Sequence, residues 1–325
     1  MRALDSSGLC SRILLLLVLS IPCVAAATSL RFELPEEGSD VVGALTWIEA
    51  RHEDTLIALA REHGLGLHEL VRANPDVDPW LPGEGTPILL PTRFVLPPGP
   101  RQGVVANLAE YRLYFFPPGQ NHVITVPMGI GRAAFETPVL QTRVTDRIEQ
   151  PSWTPPASVR AEYARRGIEL ARVVPAGPSN PLGEYALMLD APGYLIHGTN
   201  ETYGVGTRVS HGCLRLYPEH IAELVWKITV GTQVRIIHAP YKAGWDGDEL
   251  VLEAHVPLSE FEADGMTVMV REVIASTGKD DLVDWLLAEQ AAREQSGIPS
   301  AIGTRGQRIS QEDSQEPVDV SRAGS

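Results

Sequence analysis

Glycine and proline cut the middle of this chain into short apolar stretches, and that punctuation limits its fold more than any other feature. Residues 103–107 and 111–116 are apolar runs parted by a brief polar break, the pattern of a hairpin. Residues 122–128, 185–190 and 231–237 read as three more strands, with turns at Gly129-Ile130-Gly131-Arg132 and Glu136-Thr137-Pro138. Residues 173–183 are rich in proline and glycine. Many short strands with few helices predict a mainly β domain, sandwich or barrel-like, over residues 101–240.

Residues 43–91 have a different rhythm. A strand over 44–48 is followed by a helix opening at Glu53-Asp54-Thr55-Leu56, with Asp54 as its expected cap. A second short helix carries Leu67, Leu70 and Val71 and stops at Asn74-Pro75, before a strand over 87–91. This is a small α+β (βααβ) unit. Residues 28–42 read as an irregular leader, and 92–100, with Pro97-Pro98-Gly99-Pro100, as a stiff linker. Past 240 the pattern weakens. Residues 241–302 form an extension with a helix over 281–295, and 303–325 a polar, disordered tail.

At the N-terminus, Arg2 and Arg12 precede the apolar run 13–19, and Val24-Ala25-Ala26-Ala27 offers small residues for cleavage. That is the layout of a secretory signal peptide over 1–27, cut near Ala26/Ala27, and it is too short for a comfortable membrane span. A net charge of −14 argues against nucleic acid as a partner. Of the three cysteines, Cys10 and Cys23 leave with the signal. Exported proteins usually pair their cysteines. The unpaired Cys213 is therefore either a buried filler or a reactive group.

Its setting favours reactivity. An apolar run ends at His197-Gly198-Thr199-Asn200, a glycine-rich loop containing Tyr203 follows, and the chain continues as Ser210-His211-Gly212-Cys213-Leu214-Arg215. Tyr217-Pro218-Glu219 then opens a helix with Ile221, Leu224 and Val225 on one face. A thiol is mostly protonated at neutral pH and needs a base, for which His197 and His211 both qualify. In an extended segment His211 would point the same way as Cys213. The amides of Gly212 and Cys213 are candidates to hold an oxyanion. A zinc site fits by residue type but lacks the usual Cys-x-x-Cys or His-x-x-x-His spacing. A structural thiol is the plain alternative, and a redox role lacks a resolving cysteine.

With His197-Gly198-Thr199-Asn200 before Ser210-His211-Gly212-Cys213, and Pro175 to Gly183 upstream, residues 100–240 resemble the L,D-transpeptidase (YkuD-type) catalytic domain of the periplasmic Gram-negative branch. Residues 43–91 resemble a LysM module, with Glu53 where that family has glycine. The resemblance implies a periplasmic enzyme without metal or organic cofactor. Its partners would be peptidoglycan stem peptides and glycan strands. Cys213 would attack the meso-diaminopimelate carbonyl of a tetrapeptide stem, release D-Ala and form a thioester open to carbapenems. The acyl group would pass to a second diaminopimelate, giving a 3→3 cross-link, or to a lipoprotein lysine. Hydrolysis of the same stem is the alternative, and a non-catalytic wall-binding protein a further one. Under this resemblance His197 is the acid/base partner, held by a carbonyl near Gly198, with His211 in support, although residue types alone permit the reverse. Arg215, Ser210, Asn200 and Tyr203 are candidate substrate-binding residues, and Gly212 and Gly198 candidate backbone contributors to the site.

Overall fold

The computed structural model describes residues 29–35, 38–261, 265–278 and 282–305. The signal-peptide reading, Cys10, Cys23 and residues 306–325 lie outside them. The fold is mainly β. Nine strands form one curled sheet in the order Leu30–Glu33, His122–Pro127, Arg112–Phe116, Gly103–Asn107, Gln233–Ile237, Leu140–Glu149, Tyr185–Leu189, Leu195–His197 and Leu214–Arg215. The hairpin Gly103–Asn107/Arg112–Phe116 pairs Val104 with Phe115 and Val105 with Tyr114.

These first strands are apolar at nearly every position because both faces of the sheet are covered. Val104, Leu113, Phe115, Ile124 and Val126 face a core shared with Ile221, Leu224 and Val225 of the helix Pro218–Lys227. Their neighbours Val105, Tyr114, Phe116 and Val123 face the opposite way, into a core shared with Leu56, Leu59, Leu65 and Leu70. Side chains alternate across a strand, so a continuous apolar run supplies two cores at once.

The second core belongs to the N-terminal module. Thr46–Glu49 pairs antiparallel with Pro87–Leu90, and the helices Leu56–Glu62 and Leu67–Ala73 lie between them in sequence. The helix cap differs from the expectation. Thr55, not Asp54, caps the first helix, its hydroxyl accepting from Ala58 N at 3.1 Å. Asp54 is buried and takes the Arg51 amide at 2.7 Å and the Arg51 guanidinium. Asn74 ends the second helix and ties it to the closing strand, donating to Leu70 O and accepting from Leu89 N.

Three segments read as irregular are ordered by pairing. In the 28–42 stretch, Leu30–Glu33 adds an edge strand against His122–Pro127, and Val41–Gly43 pairs with Arg93–Val95. That second pairing also takes residues from the expected linker, because Phe94, Val95 and Leu96 are buried. At the other end, Ser300–Thr304 is a strand, so the expected tail does not begin at Gly303; Ile302 anchors it in a core of its own. Residues 241–305 build that core from a three-stranded sheet, Tyr241–Asp246, Glu249–Ala254 and Ser300–Thr304, and the helices Met266–Ala275 and Trp285–Glu294. Among the described residues, no helix is long and apolar enough to cross a membrane.

Candidate active site

The site grows from one edge of the large sheet. Leu195–His197 and Leu214–Arg215 lie parallel, with Ile196 opposite Leu214 and His197 opposite Arg215. Cys213 sits one residue before this ladder begins. It is a free thiol, partly exposed, with Sγ 3.5 Å from the Gly193 carbonyl. Cys213, His197, His211 and Arg215 line one cleft of about 540 Å³ together with Asn200, Tyr203 and Ser210.

His197 is buried, and its Nδ1 lies 2.6 Å from the Gly198 carbonyl. A carbonyl only accepts, so Nδ1 carries the hydrogen and Nε2 keeps its lone pair. Burial, with the Arg215 charge alongside, pushes His197 down to about 4. Burial also pushes the Cys213 thiol up, partly offset by a backbone hydrogen bond and by Arg215. Both shifts favour the neutral forms, thiol at Cys213 and imidazole at His197.

His211 is placed differently from the extended-chain expectation. Gly212 has φ of +104°, so the chain turns between His211 and Cys213. A side chain there would press within 3.2 Å of the Tyr194 ring. The His211 ring turns to Arg132 Nη2 at 2.9 Å and Glu162 Oε2 at 3.2 Å, and packs edge-on against Phe135 at 4.7 Å. Arg132 and Glu162 themselves form an ion pair. Burial lowers the His211 pKa against the opposing pull of Glu162.

The two glycine amides are already committed. Gly212 N donates to Ser210 Oγ at 3.1 Å, and Gly198 N to Tyr185 O at 3.0 Å. Gly212 also supplies the turn that sets the loop, and Gly198 offers its carbonyl to His197. Ser210 is buried and also donates to Cys213 O at 2.6 Å, so its hydroxyl braces the loop. Thr137 braces it from outside, donating to Gly212 O at 2.9 Å.

Arg215 is mostly buried, and its Nη1 lies 3.8 Å from the exposed Glu201 carboxylate. Its Nε has no hydrogen-bond partner among the described residues, and Arg132 Nε is in the same position. Asn200 and Tyr203 are exposed at the rim, with the Tyr203 hydroxyl 3.2 Å from Glu201. The sequence reading missed Glu162, on the helix Ala157–Arg165 that forms one wall. A single glutamate in the charged run Arg160-Ala161-Glu162-Tyr163-Ala164-Arg165 carries no signal of its own.

A model of the YkuD L,D-transpeptidase catalytic domain matches residues 101–236, which hold both halves of the motif. The likeness extends over most of the chain. It is 41% identical over 285 residues to Probable L,D-transpeptidase YbiS of Escherichia coli (strain K12), covering 85% of this chain and 92% of the relative. With Probable L,D-transpeptidase YcfS of the same organism it shares 44% over 234 residues, covering 70% and 73%. With Probable L,D-transpeptidase ErfK/SrfK of Salmonella typhimurium it shares 40% over 283 residues, covering 84% and 91%. The chain belongs to the L,D-transpeptidase family.

Proposed function

We propose that this protein is a peptidoglycan L,D-transpeptidase of the periplasm, working through a thioester on Cys213. One observation carries the reading: His197, with Nδ1 tied to the Gly198 carbonyl at 2.6 Å, lies across the parallel strand pair from the cysteine segment in the same cleft. Its Nε2 is the nitrogen left to take a proton.

In the first half-reaction Nε2 takes the thiol proton as Sγ bonds to the meso-diaminopimelate carbonyl carbon. The Cys213 amide is the loop donor left for the oxyanion. The carbon–nitrogen bond to D-Ala then breaks, the leaving nitrogen recovers the proton from His197, and a thioester remains. In the second half an acceptor amine gives its proton to His197 and bonds to the carbonyl, and sulfur leaves as the thiol. Diaminopimelate as acceptor gives a 3→3 cross-link, and a lipoprotein lysine gives an anchored protein. Arg215, with a buried Nε and one distant carboxylate, suits a substrate carboxylate. His211 supports the loop. A carbapenem would acylate the same sulfur. The N-terminal βααβ module is proposed as a LysM-type glycan contact that brings the enzyme to its polymer.

The test is mass-spectrometric product analysis with tetrapeptide muropeptides, with and without a lysine-ending lipoprotein peptide. Released D-Ala with a new amide to diaminopimelate is expected, and its partner identifies the acceptor. Tripeptide alone in both mixtures would make the enzyme a hydrolase.

A further inference from the structure

The helix Ala157–Arg165 walls the cleft, yet little holds it there. Val159 is its buried residue, no side chain caps its start, and the Arg160 guanidinium donates to the nearby Pro155 carbonyl at 2.7 Å. The base of the wall segment is secured separately. The buried Asn180 donates to Pro151 O at 2.7 Å and accepts from Leu182 N at 2.9 Å. The helix reaches the opposite side of the cleft through Glu162.

That contact is unlike an ordinary surface pair, because both of its partners belong to the rim of the cysteine loop. Arg132 donates from its backbone N to Ser210 O at 3.1 Å, and its guanidinium lies 4.7 Å over the Phe135 ring that packs on His211. Glu162 Oε2 pairs with Arg132 and lies 3.2 Å from His211 Nε2, the same ring nitrogen that Arg132 Nη2 reaches at 2.9 Å. Nε2 therefore either accepts from Arg132 or donates to Glu162. The Glu162 side chain is only 15% exposed. A carboxylate in that position joins three segments apart in sequence: the wall helix, the 129–137 loop and the cysteine motif.

We propose that Glu162 is a positioning residue that latches the wall helix across the cleft by pairing with Arg132 where that side chain sits against His211, and so holds the cleft in the shape that receives the stem peptide. The substrate named here rests on the transpeptidase reading; the latch does not. A carboxylate that touches no reacting atom should act on substrate binding more than on the chemical step.

The experiment uses the mature full-length protein carrying Glu162→Gln. Backbone hydrogen exchange over residues 157–165 is expected to speed by roughly fivefold or more, with exchange over 103–116 unchanged. KM for a tetrapeptide-stem donor should rise about tenfold while kcat stays within about twofold. Alkylation of Cys213 by iodoacetamide should stay near the wild-type rate. Unchanged exchange with unchanged KM would overturn the latch. A fall in kcat and alkylation together, with exchange unchanged, would overturn it too, by placing Glu162 at the thiol. If the wild-type protein released no D-Ala, the transpeptidase reading would fail while the exchange and alkylation arms still judged the latch. Arg132→Gln opens the same contact from the other side and must give the same exchange signature should E162Q fail to fold.

Discussion

Two charged clusters in this protein put basic side chains and glutamates to opposite ends. In one, Lys242 Nζ lies 2.5 Å from Glu110, 2.8 Å from Glu253 and 2.5 Å from the Val95 carbonyl, with all three charged side chains at most 1% exposed. Every remaining oxygen is occupied: Glu110 accepts from Asn107 and Tyr114, and Glu253 from the Val95 amide and His255. The other cluster, at the cleft, is half-open. Arg132 and Arg215 each keep a buried Nε without a partner among the described residues. A saturated network has nothing left to offer a ligand and fixes how chain segments dock. An unsaturated one lining a cavity is where a ligand completes the set.

The sharpest way to break the comparison is at the sulfur. Cys213→Ala should abolish D-Ala release, a loss of at least about a thousandfold, if the proposed thioester forms on its sulfur. The melting temperature of Cys213→Ala should stay within a few degrees of wild type. D-Ala release at the wild-type rate would remove Cys213 from the mechanism.

Lys242→Met should show the reverse pattern. It leaves Glu110 and Glu253 buried together without their cation, which costs about 3–5 kcal/mol by denaturant titration. In protein that remains folded, kcat should be close to normal. A stability loss below about 1 kcal/mol would mean the network is not what docks the segments carrying Val95, Glu110 and Lys242.

Protonation sharpens the contrast further. His197 sits near 4 when folded, against an ordinary value of 6.5. Between those pH values the unfolded chain binds a proton that the native protein does not, so His197 contributes a stability that falls as pH drops from about 6.5 towards 4. If neutral His197 is the base, the acid limb of kcat/KM for D-Ala release should lie near 4 rather than near 6.5. A limb at 6.5 would point to another group.

The smallest effect belongs to a pair outside both clusters. Arg143 and Asp190 meet at 3.0 Å with both side chains more than half exposed. Asp190→Asn should shift stability by less than about 1 kcal/mol and leave activity unchanged.

Much of the architecture was legible in short-range pattern. The 103–116 hairpin and the strands at 122, 185 and 233 are apolar runs bounded by turn residues, and they occur where those signals place them. The longest strand, Leu140–Glu149, is not legible in that way. It reads Leu-Gln-Thr-Arg-Val-Thr-Asp-Arg-Ile-Glu, and several of its polar side chains face solvent. It exists because the strands Gln233–Ile237 and Tyr185–Leu189 offer it an edge on each side. Strand Leu30–Glu33 is ordered by the same kind of distant partner, and so is Ser300–Thr304 in the C-terminal sheet.

The site divides along the same line. Sequence alone determined which residues could do chemistry: an unpaired thiol, two histidines and an arginine at motif spacing, with glycines where the chain must turn. Those are properties of residue type and short-range order. Tertiary structure decided their roles. It set the His197 Nδ1 against a carbonyl and turned His211 away to Arg132 and Glu162. It also occupied the Gly212 amide with Ser210 and brought Glu162 in from a helix 49 residues earlier in the chain than His211. Which lone pair, N–H or charge remains free depends on what packs beside it. Those neighbours come from segments whose approach no local pattern encodes.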